Sequence, residues 1–196
     1  MNNTHSKTAF DPTRTLFPLP VALVVTGSME KANIVTIAWV SLLTSSPPTL
    51  GVSVGNRGHS GRQILENGHF TVNIAGAGIM VEADFCGITS GKDTDKFGRT
   101  GLTPLPSLHI PSPLIGECPL NFECRLVRHQ VFGTTNHFAG EILKVHMDTD
   151  KLRDPSDPAS FDPEAMDPLV YIGGAREYRR IGKKTGDAYQ AGKQLD

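Results

Sequence analysis

A chain of 196 residues, 38% hydrophobic and 20% charged, has the bulk for one domain with a substantial core and the composition of an ordinary globular fold. Its formal net charge of −1 lacks the basic excess that marks a nucleic-acid binder. No apolar run approaches the ~18 residues of a membrane helix, and Met1–Pro20 has no apolar stretch of the secretory-signal kind, so no membrane partner is expected and cytoplasm is the expected location.

Residues 1–18 are polar and read as an N-terminal arm. Leu19–Gly27 is short and β-branched, which predicts a largely buried strand. Ile34–Ser41 predicts a second strand, interrupted by small and polar residues. Pro47-Pro48 breaks the chain, and Thr49–Val54 then alternates, with Leu50, Val52 and Val54 on one face. Ser60, with Gln63 three residues later, has the spacing of a capping box and predicts a helix that Asn67-Gly68 ends. His69–Ile74 is an alternating strand. Val81, Phe85 and Ile88 recur at helical spacing, with Gly91 as the expected stop.

Thr100–Pro119 is rich in Pro and Gly and predicts loop or short edge strand. Asn121–His129, with Phe122, Cys124 and Leu126 on one side, and His137–Met147 predict a hairpin around Gly133. Residues 148–168 form an Asp/Pro-rich excursion with little core content, Leu169–Ile172 returns to strand character, and a basic, polar tail follows. The domain proper is thus expected over 19–185, with 186–196 as tail. Many strands with few short helices predict a mostly β fold, and an antiparallel barrel removes exposed edges at this size. Cys86, Cys118 and Cys124 are odd in number and lack a CxxC pair, so they read as buried free thiols rather than a disulfide framework or a zinc site.

The chemistry concentrates in two stretches. Gly55–Ser60 (GNRGHS) sits between a strand and a helix, where a glycine-bearing turn aims backbone N–H groups at one point and the helix terminus adds about half a positive charge. With the Arg57 fork and the Ser60 hydroxyl this suits a phosphate monoester. A helix after a turn with a solvated arginine is the alternative reading of the same hexapeptide. Just before it, Asn33, Thr36 and Trp39 recur around Ala38 at three-residue spacing, which pure strand alternation does not place on one face. A bulge or strand end could present them to a planar polar ligand.

The run NIVTIAWVSLLTSSPPTLGVSVGNRGHS (33–60), FCGITSGKDTDKF (85–97) and HFAGEI (137–142), in that order, resembles the flavin reductase-like FMN-binding split-barrel family, with the flavoredoxin-type branch nearest. The resemblance spans residues 17–185. It implies a split β-barrel with a few short helices that forms a homodimer and binds FMN near the subunit interface. It places Asn33, Thr36, Ala38 and Trp39 along the flavin, and Asn56, Arg57, His59 and Ser60 around the phosphate. In the motif Ser90, Gly91, Asp95, Lys96 and Phe97 it brings Lys96 to the flavin or its phosphate. His137 would stand near the flavin as a catalytic candidate, with a structural histidine beside Glu141 as the alternative, and Tyr171 or Tyr178 would cover the cofactor. The implied activity is flavin-dependent oxidoreduction with NADH or NADPH as transient substrate. An electron carrier reduced by a redox partner protein and a non-catalytic flavin-binding module are the competing readings. A metal-dependent hydrolase is disfavoured by the lack of ligand spacing.

Overall fold

A computed structural model describes residues 5–195. The first apolar segment supplies β1 (Leu19–Pro20) and β2 (Ala22–Thr26). Both faces of β2 are buried, Leu23 and Val25 in one apolar cluster and Ala22 and Val24 in another, which is why its sequence is a continuous apolar run rather than an alternation. The expected strand Ile34–Ser41 is two strands, β3 (Asn33–Ile37) and β4 (Val40–Ser45), parted at Ala38 and Trp39. β5 (Pro48–Gly55) follows, with Leu50, Val52 and Val54 buried as the alternation requires.

The helix α1 (His59–Asn67) ends at Gly68, whose φ of 71° is the left-handed conformation glycine tolerates. Its start departs from the expected capping box. Gly58 is the N-cap, with no side-chain bond to the helix; Ser60 lies inside the first turn, and Gln63 accepts from Thr26 Oγ1 at 2.6 Å. Both side chains are recruited by neighbouring strands, and a tertiary partner has displaced a local one.

β6 (His69–Ile74) leads into α2 (Met80–Ile88). Of the expected apolar face of α2 only Phe85 packs against the core, half-buried; Ala83 and Cys86 are the buried positions, while Val81 and Ile88 are exposed. A helix lying close on β3 buries its small residues, with Phe85 at the margin of the contact and Val81 and Ile88 turned outward. α3 (Lys96–Thr100), β7 (Pro104–Leu105) and β8 (Leu114–Ile115) precede the long hairpin of β9 (Leu120–Phe132) and β10 (Thr135–Met147), which turns at Gly133 with φ 55°. In the Asp/Pro-rich excursion, Asp162 caps the short α4 (Pro163–Met166), and Met166 is buried, so the segment is anchored to the domain. β11 (Leu169–Ile172) pairs with β1 and with β12 (Glu177–Arg180), a strand hidden in what the sequence presents as basic tail. The three cysteines are buried and unpaired.

The seven-stranded sheet has the order β3-β2-β6-β9-β10-β5-β4. Its two edges, β3 and β4, are consecutive in the chain, so Ala38–Trp39 carries the backbone from one edge to the other and the sheet curls into a barrel. The Ser53 N–H donates to the Trp39 carbonyl at 3.0 Å and ties this crossing point to β5. One core fills the barrel around Val24, Val52, Phe70 and Phe138; the other lies between β2, β3 and α2 around Leu23, Ile34, Ala83 and Cys86. The fold is therefore a mostly β split barrel with a few short helices.

Candidate functional site

The turn Gly55–Gly58 closes with the Gly58 N–H donating to the Gly55 carbonyl at 3.1 Å. Asn56 is fixed from both ends of the residue: its backbone N–H donates to Thr134 O at 2.9 Å and its Nδ2 to Gly133 O at 3.2 Å. The turn is thereby held to the tip of the β9–β10 hairpin. With no side chain capping α1, its first-turn N–H groups remain available to an anion. Arg57 is exposed, His59 is half-buried and Ser60 is buried beside them. Asn56, Arg57, His59 and Ser60 thus flank one helix terminus, with the Asn56 amide turned to the hairpin tip.

Ser60 is linked to β3: Asn33 Nδ2 donates to its Oγ at 2.8 Å. Asn33 Oδ1 is buried with no hydrogen-bond partner, and a Cβ built on Gly91 would stand 1.7 Å from it. Only glycine fits there. The Ser90–Phe97 segment then continues as a structural bracket. Ser90 Oγ accepts from Lys92 N at 3.3 Å, Asp95 caps α3 by accepting from Gly98 N at 3.1 Å, and Phe97 packs against the outer core. Lys96, only 3% exposed, donates from Nζ to the carbonyls of Ile34 and Cys86, both at 2.7 Å. Burial pulls its pKa below the usual lysine range, with the Cys86 thiol acting in the opposite sense; burial likewise pushes that thiol up to about 11. The resemblance implies a lysine on flavin or phosphate, whereas here Lys96 clamps β3 to α2.

At the other end of β3 the surface opens. A cleft of about 350 Å³ is lined by Thr36, Ala38, Gly87, Ile88, Tyr171 and Tyr178 among others. Thr36 Oγ1 donates to Ala83 O at 2.6 Å, which holds the strand against α2. Across the cleft Tyr178 donates from its phenol to Asp84 Oδ1 at 2.9 Å, and its ring centroid lies 5.8 Å from that of Tyr171. Burial first, and then the Asp84 carboxylate, push the Tyr178 phenol up to about 12. A second cleft of about 380 Å³ shares Tyr171 and Arg176 with the first and includes Trp39, Arg14 and Gly173. Both tyrosines of the closing segment therefore reach the clefts.

Asn33 and Thr36 are not on one face. Asn33 is built into the α1 side of the barrel and Thr36 faces α2, with Ala38 and Trp39 beyond the strand end at the clefts. The phosphate-type turn and the clefts communicate through β5. Ser53, bonded to Trp39 O, lies two residues before Gly55, about 7 Å along the strand. Asp84, Gly87 and Arg176 escape a reading of the sequence. The Asp84–Tyr178 bond joins residues 94 apart in the chain, and no local pattern announces it.

His137 lies on the outer face of the sheet. Its Nδ1 meets Ser53 Oγ at 2.9 Å, its ring lies 6.2 Å from that of Phe132, and a Cβ on Gly51 would meet both it and Leu43 within 3.0 Å. Glu141 pairs with Arg125 at 2.7 Å and is not the partner of His137.

Residues 13–182 match the family model described as the flavin reductase like domain. Among solved structures, the flavoredoxin of Desulfovibrio vulgaris (Miyazaki F) is 33% identical, with a TM-score of 0.88 over 95% of this chain and 100% of that one. The flavoredoxin from Methanosarcina acetivorans is 32% identical, with a TM-score of 0.86 over 97% of this chain and 100% of that one. An uncharacterized protein of Archaeoglobus fulgidus is 36% identical over 130 residues, 66% of this chain and 73% of the relative.

Proposed function

The chain belongs to the flavin reductase-like family, and on that premise we propose that it binds FMN and acts as an oxidoreductase that takes reducing equivalents from NADH or NADPH. The observation that carries this reading is the uncapped α1 terminus, with Arg57, His59 and Ser60 around it, joined through Ser53 to the aromatic-walled cleft at the end of β3. An anionic group on the helix terminus and a planar ring in the cleft match the two ends of FMN. The orphaned Asn33 Oδ1 beside Gly91 adds an unsatisfied buried acceptor at the α1 end of the same strand.

FMN, when bound, supplies the hydride- and electron-transfer chemistry, so the chain needs no nucleophile of its own. Arg57, His59, Ser60 and the first-turn N–H groups of α1 hold the phosphate, and Asn56 keeps the turn in register. Asn33 orients Ser60. Thr36, Ala38 and Trp39 would meet the ring, and Tyr171 and Tyr178 would exclude water from it. Lys96, engaged by the Ile34 and Cys86 carbonyls, places a positive charge beneath β3, and Ser90 serves the bracket that holds it there. A second copy of the chain completes the site: Leu43, Phe132 and His137 share an outward face, and Leu42 beside it is 73% exposed. His137 reaches the flavin only through that shared face.

The similarity to two flavoredoxins supports one competing reading, an electron carrier reduced by a protein donor. Anaerobic addition of NADH or NADPH to the FMN-loaded protein separates the two. Rapid bleaching of the flavin band is expected; no bleaching by either nucleotide, with reduction by a protein donor, would establish the carrier. A protein that stays colourless and fails to bind added FMN would sink both. Light scattering should give a dimer, and a monomer with FMN tightly bound would contradict the shared face.

A further inference from the structure

The second cleft has a different chemistry from the first. Where the first is walled by Ile37, Ala38, Ile88 and tyrosine rings, the second gathers Thr13, Arg14, Thr15 and Arg176 around the aromatic surfaces of Trp39 and Tyr171. Its two arginines come from the N-terminal arm and from the β11–β12 turn, and both positions are set by backbone packing. A Cβ on Gly173 would stand 2.7 Å from Leu16 O, and one on Gly174, whose φ is 86°, would stand 2.9 Å from Thr15 Cγ2, so the arm seats directly on a glycine pair. Thr13 Oγ1 donates to Thr15 Oγ1 at 2.9 Å within the arm. Arg176 itself has φ 59°, a left-handed conformation uncommon for a non-glycine residue, held as its N–H donates to Ile172 O at 3.0 Å.

The carboxylates nearby are engaged elsewhere. Glu177 pairs with Arg179, Asp167 with Arg180 and Asp84 with the Tyr178 phenol. Among the described residues Arg14 and Arg176 have no carboxylate partner, so two guanidinium forks line a polar cleft unneutralised. Planar forks of this kind match phosphate and carboxylate oxygens two at a time.

We propose that this cleft is the docking subsite for an oxyanion, phosphate or carboxylate, borne by the molecule that exchanges electrons in the adjoining cleft. Because the two clefts share Tyr171 and Arg176, an oxyanion held by Arg14 and Arg176 delivers the rest of its molecule to the mouth of the first cleft. What lies in that adjoining cleft rests on the flavin reading above; the anion subsite does not.

The test uses FMN-loaded protein titrated with inorganic pyrophosphate and, separately, with benzoate. Calorimetry and the fluorescence of Trp39, the chain's single tryptophan and a residue of this cleft, report binding. Saturable binding is expected for at least one anion, weakened on the order of tenfold in the double variant Arg14→Ala/Arg176→Ala and partly restored by Arg176→Lys, while Arg14→Ala alone, at a residue that lines only the second cleft, leaves FMN affinity unchanged. If NADH reduces the flavin, its KM should rise by a similar factor with little change in kcat. Competition of pyrophosphate with NADH identifies the nucleotide's phosphates as the source of the anion, and preferential binding of benzoate identifies a carboxylate-bearing acceptor. No saturable binding of either anion to the wild type, a double variant that titrates like the wild type, or a parallel loss of FMN affinity in Arg14→Ala would overturn the subsite. If neither nucleotide reduces the flavin, the nicotinamide reading above fails while the anion titration still decides this one.

Discussion

The two ends of β3 are put to opposite uses. At Asn33–Ile34 the strand is locked on every side: Asn33 holds Ser60, Gly91 packs against the amide oxygen, and the Lys96 ammonium caps the Ile34 carbonyl. At Thr36–Trp39 the strand leaves the sheet, and its residues line two clefts with a tyrosine pair opposite. One end is rigid because its polar groups satisfy each other in the interior. The other is free to receive a ligand because its neighbours come from a separate hairpin and an arm. A binding strand thus has a holding end and a presenting end, and residue type alone does not tell which is which, since an asparagine or a lysine serves either.

That division predicts effects of different kinds. The largest should come from Lys96→Met, which leaves the Ile34 and Cys86 carbonyls buried without their donor. A loss of about 3 kcal/mol in urea unfolding is expected, and an unchanged midpoint would show that Lys96 is not a clamp. Gly91→Ala comes next. Its methyl cannot coexist with the Asn33 amide at 1.7 Å, so Asn33 must release Ser60. A destabilisation of about 2 kcal/mol should accompany weaker FMN binding, and a variant as stable as the wild type would break the holding-end description.

Arg57→Ala tests the opposite behaviour at an exposed side chain. Stability should stay within about 0.5 kcal/mol while FMN affinity falls about tenfold; equal losses in both would erase the distinction. The smallest effect belongs to the cleft wall. In an ultraviolet titration of the three tyrosines, one phenol, that of Tyr178, should ionise near 12 rather than near the ordinary value of 10.0. Because the folded-state value is raised, the associated stability is present below 10.0 and is lost as pH rises toward 12. Tyr178→Phe should delete the late phase, and three phenols titrating together would refute the buried Asp84 contact.

Much of this architecture is legible in particular residues. The alternation in Thr49–Val54 and His69–Ile74, the stop at Gly68 and the hairpin at Gly133 follow from local conformational preference, and the structure bears them out. The capping box at Ser60 was not to be found, because Asn33 and Thr26, distant in sequence, offer Ser60 and Gln63 better partners than the helix backbone. The apolar face expected on α2 held only at Phe85 for a similar reason: close approach to β3 selects Ala83 and Cys86 over Val81 and Ile88. β12 was hidden because an edge strand needs no apolar face to pair.

By itself, then, the sequence determined the β-rich class, the order of the strands along the chain and the motifs that resemble the flavin reductase-like family. Those depend on neighbours a few residues apart, where spacing and propensity act directly. Only the tertiary structure decided that β3 and β4 are the two edges joined at Trp39, that Lys96 is a clamp, and that Asp84, Tyr178 and Arg176 share a cleft wall. Each of these depends on pairings between segments tens of residues apart, whose energy arises only when the barrel has brought them together.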